Sequence, residues 1–475
     1  MKFSFINASV IEGHRHEKAR GSASSPPLGI LYLGAVLRNH GVEVSALDQP
    51  AKGFTVEEAV NWASKEDPDI LGFSVFSSSG RTAAAICKRV KEQNPNIVTV
   101  FGNIYATLNP ERILMKYPSI DMIVRGEGER TVTELVSRLG NGGNLREVRG
   151  ISFREGGKII STPDRPLIEN LDSIPFPERK LLDSDYHCMI LGVNVAPKKF
   201  TSIVSSRGCV YRCRFCNCTQ FTQYRWRHRS VQNTLEELNL LVGDGYKQFI
   251  FSDDNFTTNK KRVIELCRAI RREKMDVDLI CEGRVDNCSY EMLWEMARAG
   301  CRVMYFGIES ANQRILDYYN KQATPQQAEN AVKTARKAGM DIIIGSFIVG
   351  APDETRDEIQ NTINFAKRIS IDFPQFNILG VYPGMDIWSE LVAKQIINEE
   401  EYWESGVPVP QVCPDAVPFQ DIKRMLNEAL YNFLKRPSFI LEELARTSKS
   451  AFRMNTLLSN VKRAGAIREG LRNMF

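Results

Sequence analysis

The chain has 475 residues, 43% hydrophobic and 25% charged, enough for two or three domains with full cores. A net charge of +5 is too small to mark a nucleic-acid binder, and none is expected as a partner. Eleven cysteines, odd in number, irregularly spaced and without a secretory leader before them, point to a reducing cytoplasm, and the longest apolar run, 342–349, is broken by Gly345 and Ser346 and too short to span a bilayer.

In chain order, residues 1–140 alternate strand-like apolar runs with helical patterns. Strands are expected over 2–10, 42–47, 70–75, 97–101 and 121–124, and helices over 26–41, 56–64, 81–94, 110–116 and 131–139. This is an α/β pattern of a doubly wound, Rossmann-like domain, whose ligand belongs at the carboxyl ends of the strands. Four loops there carry small and polar residues: Asp48-Gln-Pro, the run from Ser74 through Ser77 to Gly80, the run from Gly102 through Tyr105 to Thr107, and Gly126-Glu127-Gly128-Glu. Each alone is ordinary turn composition, but together they form a rim suited to a broad polar ligand. Residues 141–197, with a strand pair around 150–160 and prolines at 163, 166, 175 and 177, are expected to be a linker.

From residue 200 the rhythm resumes for six units, with strands over 201–205, 248–252, 278–281, 303–307, 341–348 and 375–381. Helices are expected between them over 230–242, 260–274, 290–299, 325–338 and 355–369. A partial (β/α)6 barrel spanning 198–385 follows, with its chemistry at the carboxyl ends of the strands. Those ends carry Ser252-Asp253-Asp254-Asn255, Glu282-Gly-Arg284, Gly307-Ile-Glu309-Ser310 and Ile348-Val-Gly350. Structural rivals stand beside each: an acidic residue also caps helices, and an arginine also pairs with a neighbouring carboxylate. Asp353-Glu-Thr-Arg reads as a helix start, and Arg225-Trp-Arg-His-Arg-Ser230 as a docking segment with Ser230 capping the next helix. Residues 386–475 are expected to form a helical C-terminal domain, with eight Lys or Arg against three Glu over 436–475. That basic end is either a solvated face or a surface for an acidic partner.

The loop after the first of these strands holds Cys209, Cys213 and Cys216 in the order C-x3-C-x2-C. Three thiolates at that spacing fit around one face of a 4Fe–4S cube and leave the fourth iron without a protein ligand. A structural zinc site is the alternative; it needs a fourth ligand, which Cys218 could supply. Tyr211 and Phe215 offer an aromatic wall beside the open iron.

This cysteine loop, with an aromatic residue before its last cysteine, resembles that of the radical S-adenosylmethionine (SAM) enzymes. Together with Pro26-Pro-Leu-Gly, the segment from Gly102 to Thr107, and Gly126-Glu-Gly-Glu followed by Thr131, the chain resembles the cobalamin-dependent members of that family. Two positions depart from the pattern: Tyr105 stands where the family has a histidine, and Asn103 where it has a second glycine. The nearest string to an axial-histidine motif, Asp185-Tyr-His-Cys-Met-Ile, lacks its final glycine, so no histidine of this domain is expected below the corrin.

The resemblance implies three cofactors: a 4Fe–4S cluster on Cys209, Cys213 and Cys216, SAM, and cobalamin. It implies corrin contacts from Asp48, Ser74, Ser77, Gly102, Gly126, Glu127 and Gly128, with Tyr105 approaching the lower face. For SAM it implies Tyr211, Phe215, Asp253, Asn255, Arg284, Glu309, Ser310, Ile348 and Gly350, with catalytic roles for Tyr105, Asp253 and Asp254. The implied reaction moves a methyl group from SAM through methylcobalamin to an unactivated carbon, after a radical derived from SAM has removed its hydrogen. Substrates of relatives range from small molecules to peptides and proteins, including a glutamine of methyl-coenzyme M reductase, and a one-electron donor such as flavodoxin or ferredoxin is expected. A cyclase or oxidase without methyl transfer, and a dehydratase whose Rossmann domain has lost B12, are the alternatives.

Overall fold

The computed structural model describes residues 1–10, 25–190, 192–405 and 417–461. They divide into two compact units, the first made of Met1–Tyr186, Asn217–Arg227 and Val381–Pro410, the second of His187–Cys216, His228–Gly380 and Gln411–Phe475. Among the described residues no helix is long and apolar enough to cross a membrane.

The first unit is built on β1 (Lys2–Asn7), β2 (Glu43–Asp48), β3 (Ile70–Ser74), β4 (Val98–Gly102) and β5 (Met122–Val124), parallel in the order β2-β1-β3-β4-β5. Helices α1 (Leu28–Asn39), α2 (Val56–Glu66), α3 (Gly80–Gln93), α4 (Ile104–Leu108), α5 (Pro110–Lys116) and α6 (Glu129–Gly140) connect them. Local chemistry fixes the ends: Thr55 and Glu58 close α2 with a reciprocal capping box, and Gly41, at φ +76°, turns the chain out of α1 into β2. Phe3 and Phe5 of β1 pack with Ile30, Leu37, Val100 and Leu135. Gly72 opposite them is required, since a Cβ there would lie 2.6 Å from the Phe3 ring. The order reverses between β1 and β3, and such a switch point opens a crevice at the carboxyl ends of the strands.

The strand pair expected inside a linker, β6 (Ile151–Glu155) and β7 (Lys158–Ser161), instead extends this sheet antiparallel from β5. The apolar face of β6, with Ile151 and Phe153 buried, belongs to the same core, which explains why the sheet does not end at residue 140.

The second unit carries β8 (Phe200–Ile203), β9 (Gln248–Phe251), β10 (Asp278–Arg284), β11 (Cys301–Glu309), β12 (Ile342–Val349) and β13 (Phe373–Ile378), all parallel and in sequence order. The edge strands β8 and β13 do not pair with each other, so the barrel is partial. Helices α7 (Val231–Gly243), α8 (Lys260–Arg272), α9 (Tyr290–Arg298), α10 (Gln313–Tyr318), α11 (Pro325–Ala338) and α12 (Arg356–Arg368) cover its outer face. Ser230 caps α7 as expected, accepting from Asn233 N, and Thr355 with Glu358 closes α12 in a capping box, so Asp353-Glu-Thr-Arg is a helix start.

The expected C-terminal helical domain is not one body. Helices α13 (Asp386–Ala393) and α14 (Glu399–Ser405) belong to the first unit, whereas α15 (Phe419–Leu434), α16 (Pro437–Thr447) and α17 (Ala451–Val461) belong to the second. Of its basic residues, Lys462, Arg463, Arg468 and Arg472 lie outside the described residues. Arg446 and Arg453 are turned inward: with Arg336 they surround the fully buried carboxylate of Asp372. These two arginines fasten helices to the barrel and are no surface for an acidic partner.

Candidate functional site

At the switch point of the first unit, the loops after β3, β4 and β5 form an open rim. Gly126, at φ +71°, has nothing within 4 Å of the place a Cβ would take, and a Cβ on Gly102 would meet only backbone oxygens at 3.7 Å or more. Bare backbone is thus offered to a ligand that lies close. Phe76, just beyond β3, is 52% exposed at this rim. Ser74 accepts from Asn103 Nδ2 at 3.1 Å, and Ser77 and Gly128 are half-buried beside these loops.

Asn103 adopts φ +78° and ψ −176°, a region that is essentially glycine's, and its Oδ1 accepts from Ile104 N at 2.7 Å. The departure from glycine at this position is therefore held under strain by its own side chain.

Three expected contacts of the rim are engaged structurally. Asp48 is 1% exposed, accepting from Asn7 Nδ2 at 2.9 Å and from the Tyr186 hydroxyl at 2.9 Å; burial nevertheless pushes its pKa up. Glu127 receives Arg227 Nη1 at 2.8 Å and Ile168 N at 2.7 Å, a buried ion pair that ties the segment after the sheet to the β5 loop. Tyr105 is 7% exposed, packed against Gly80 on one side and stacked on Trp403 with centroids 6.1 Å apart. Burial raises its hydroxyl pKa far above the ordinary value, so it stays protonated.

In the second unit the cysteine loop leaves β8 and is held from three sides. Asp253, fully buried at the end of β9, accepts from Ser205 N at 2.7 Å and from the Ser205 and Ser206 hydroxyls at 2.6 Å each. Asp254 accepts from Gly208 N at 2.6 Å, immediately before Cys209. The loop after α10 braces the other side, where Tyr319 O accepts from Arg214 N and Asn320 Nδ2 donates to Arg212 O. Asp253, for which a catalytic role is expected, thus has both carboxylate oxygens engaged by the loop it holds. Asp254 holds the same loop from its exposed position.

Cys209, Cys213 and Cys216 are half-buried and close enough for the charges of Cys213 and Cys216 to raise the Cys209 pKa, after burial, its main cause. Among the described residues no three His, Cys, Asp or Glu side chains close around a single ion. A cube takes one thiolate at each of three corners, the number that this loop supplies. Burial pushes the Cys213 thiol up, opposed by Lys321 and Arg284. The C-x3-C-x2-C spacing, with these two cations beside Cys213, fits an iron–sulfur cluster.

Arg284 is committed to this loop. It forks onto Asp286 at 2.9 and 3.1 Å, donates to Cys213 Sγ at 3.5 Å and to Lys321 O, and lies 3.6 Å over the Tyr211 ring. Tyr211 therefore stacks on a guanidinium, and Phe215 meets Tyr319 edge-on at 5.2 Å. Glu309 sits at φ +65°, beside a register shift between β11 and β12, and its carboxylate pairs with Lys321 Nζ at 2.6 Å, both nearly buried. Gly307 makes room for that pair, since a Cβ there would lie 2.6 Å from Glu309 Oε1 and 2.9 Å from Lys321 Nζ. Lys321 was not foreseen from sequence; it lies in the loop after α10 and carries no motif.

Ser310 is buried against Thr362 and accepts from Asn312 N, a packing role at the start of α10. Asn255 is 1% exposed with Nδ2 unpartnered, and its Oδ1 accepts from Thr257. Beyond half-buried Ile348, Gly350 at φ +89° donates its N–H to Glu354 Oε2 at 2.6 Å, as Ala351 does at 3.2 Å. Burial raises Glu354 to a pKa of about 7, and its Oε1 is without a partner.

Residues 203–366 match the radical SAM superfamily and residues 21–136 the B12 binding domain. An uncharacterised methyltransferase of Pyrococcus horikoshii is 36% identical over 422 residues, covering 89% of this chain and 90% of the relative. The anaerobic magnesium-protoporphyrin IX monomethyl ester cyclase of Rubrivivax gelatinosus is 28% identical, covering 91% and 77%. Among solved structures, the radical SAM methyltransferase TsrM of Kitasatospora setae, with cobalamin and a 4Fe–4S cluster bound, superposes with a TM-score of 0.67 at 16% identity, over 83% of this chain and 78% of that one.

Proposed function

Since the chain belongs to the cobalamin-dependent radical SAM methyltransferase family, we propose that it binds a 4Fe–4S cluster, SAM and cobalamin and methylates an unactivated carbon of a polar small molecule or peptide. The observation that carries this is the cysteine loop, three thiols clamped by Asp253 and Asp254 with Arg284 and Lys321 beside Cys213. When bound, these groups supply one-electron cleavage of a sulfonium and a transferable methyl group.

The chain's own residues do the positioning. Cys209, Cys213 and Cys216 would ligate the cluster. Lys321 holds Glu309 at its strained φ, ready for the polar end of SAM, and Glu354 shapes the Gly350 turn for the adenine. Gly102, Gly126 and Phe76 would lie against the corrin, and buried Tyr105 would give its lower side a neutral hydroxyl and no nitrogen ligand. In this reading a flavodoxin or ferredoxin supplies electrons in a reducing cytoplasm.

The test is anaerobic purification from cobalamin-fed cells, with iron, sulfide and corrinoid assayed on one sample. About four irons and one corrinoid per chain, with a spectrum free of lower nitrogen coordination, support the reading. Iron without corrinoid defeats the methyl-transfer proposal. The cyclase relatives favour one second reading, ring closure without methyl transfer. A radical product lacking label from methyl-labelled SAM would select it.

A further inference from the structure

Along β10 to β13 successive side chains point to opposite faces of the sheet. Those turned to the helices, among them Cys281, Met304, Phe306, Ile343 and Phe347, are buried in one core. The residues between them occupy the inner face, and there the sequence places Glu282, Tyr305, Ser346, Gln375 and Asn377, all half-buried or exposed. Register sets Glu282 opposite Tyr305 and Ser346 opposite Gln375, with Arg284 and Gly307 at the Ser346 level, so Glu282 lies one level deeper than Arg284.

Four of these groups satisfy one another. The Tyr305 hydroxyl donates to Gln375 Oε1 at 2.5 Å, and Asn377 Nδ2 donates to Ser346 Oγ at 3.2 Å. Glu282 does not join them: its side chain is exposed to the inner face and has no hydrogen-bond or ion-pair partner among the described residues. Loss of solvent in the concave wall, with repulsion from Asp254 behind it, pushes its pKa up. Open to the inner face and unpaired, this carboxylate can take a cation without displacing another partner. The neighbouring hydroxyl and amides are neutral and compete for no charge.

We infer that this inner-face row selects the methyl-accepting substrate by a cationic nitrogen held on Glu282, with Tyr305, Ser346, Gln375 and Asn377 receiving its adjacent polar atoms. The substrate class is an amine or guanidinium compound, free or as a peptide side chain, and not a hydrocarbon. The inference rests on the methyltransferase reading for the word substrate, but its test reads binding alone.

The full-length, reconstituted protein is titrated calorimetrically with N-acetyl-lysine methylamide, butylamine and the uncharged N-acetyl-norleucine methylamide. Binding of a cationic probe, at least tenfold weaker binding of norleucine, and a loss of tenfold or more in Glu282→Gln with an unchanged unfolding midpoint are expected. Tighter binding of the lysine probe than butylamine assigns a peptide source, and equal binding a free amine. Equal binding of the norleucine probe, no binding of either cation, or an undiminished Glu282→Gln complex overturns the inference. Cation binding without any labelled methyl transfer would instead count against the methyltransferase proposal.

Discussion

Asn103 holds a conformation that only glycine adopts without cost, and its side chain compensates through Ser74 and Ile104. Asn103→Gly should stabilise the fold slightly, by less than about 1 kcal/mol, because relief of strain outweighs the two part-buried hydrogen bonds of its side chain. Urea unfolding checks this, and a net loss of stability would mean that the side-chain bonds dominate. The buried Glu309–Lys321 pair makes the opposite case. Lys321→Met leaves a buried carboxylate alone and should cost about 3–5 kcal/mol, while the double change Glu309→Gln with Lys321→Met should recover most of it. Equal losses in both variants would show that packing, not charge, fixes this corner. These two features were unevenly legible. Asn103 declared itself by standing where a glycine is expected; Lys321 did not, because a lysine in a loop looks solvated until the fold brings it beside an acidic strand end.

At the level of elements, two loops between strand and helix are held by buried carboxylates, the cysteine loop by Asp253 and the Gly350 turn by Glu354. Asp253→Ala leaves Ser205 N and the two hydroxyls without their acceptor, which should cost about 2 kcal/mol or more. It should also lower iron content after reconstitution, measured beside an unchanged far-ultraviolet spectrum; full iron loading would contradict its positioning role. Glu354 gives a pH signature. Its folded pKa of about 7 lies above the ordinary 4.5, so the folded chain keeps a proton that the unfolded chain releases, and stability falls as pH rises between those values. Glu358 opposes and Arg314 favours its ionisation, and Tyr319 lies within its field. Glu354→Gln cannot ionise, so its stability relative to the parent should rise from about pH 5 to about pH 8 and then level off. A constant difference across that range would refute the shift.

The strands and helices themselves were readable from apolar periodicity, because each buries one face in a parallel layer. What periodicity could not show was partnership. Asp253 and Arg284 sit at strand ends where ligand contacts are expected, and only the folded chain reveals that loop hydroxyls and Asp286 already occupy them.

For the whole molecule, composition and the alternating pattern sufficed for two α/β units, but not for their edges. The sheet of the first unit continues through β6 and β7, since residues beyond 140 still supply apolar side chains to its core. The C-terminal helices divide between the units because Trp403 belongs with Tyr105, whereas Arg453 belongs with Asp372, and neither pairing has a sequence signature.

In the proposed function this one chain uses SAM in two ways, as radical source and as methyl source. The most direct measurement is quantification of 5′-deoxyadenosine and S-adenosylhomocysteine from the reduced, cobalamin-loaded protein and from its Cys213→Ala variant. Both products from the parent, with 5′-deoxyadenosine abolished in the variant, are predicted. A parent that forms 5′-deoxyadenosine without S-adenosylhomocysteine, or a variant that still forms 5′-deoxyadenosine, would contradict the account.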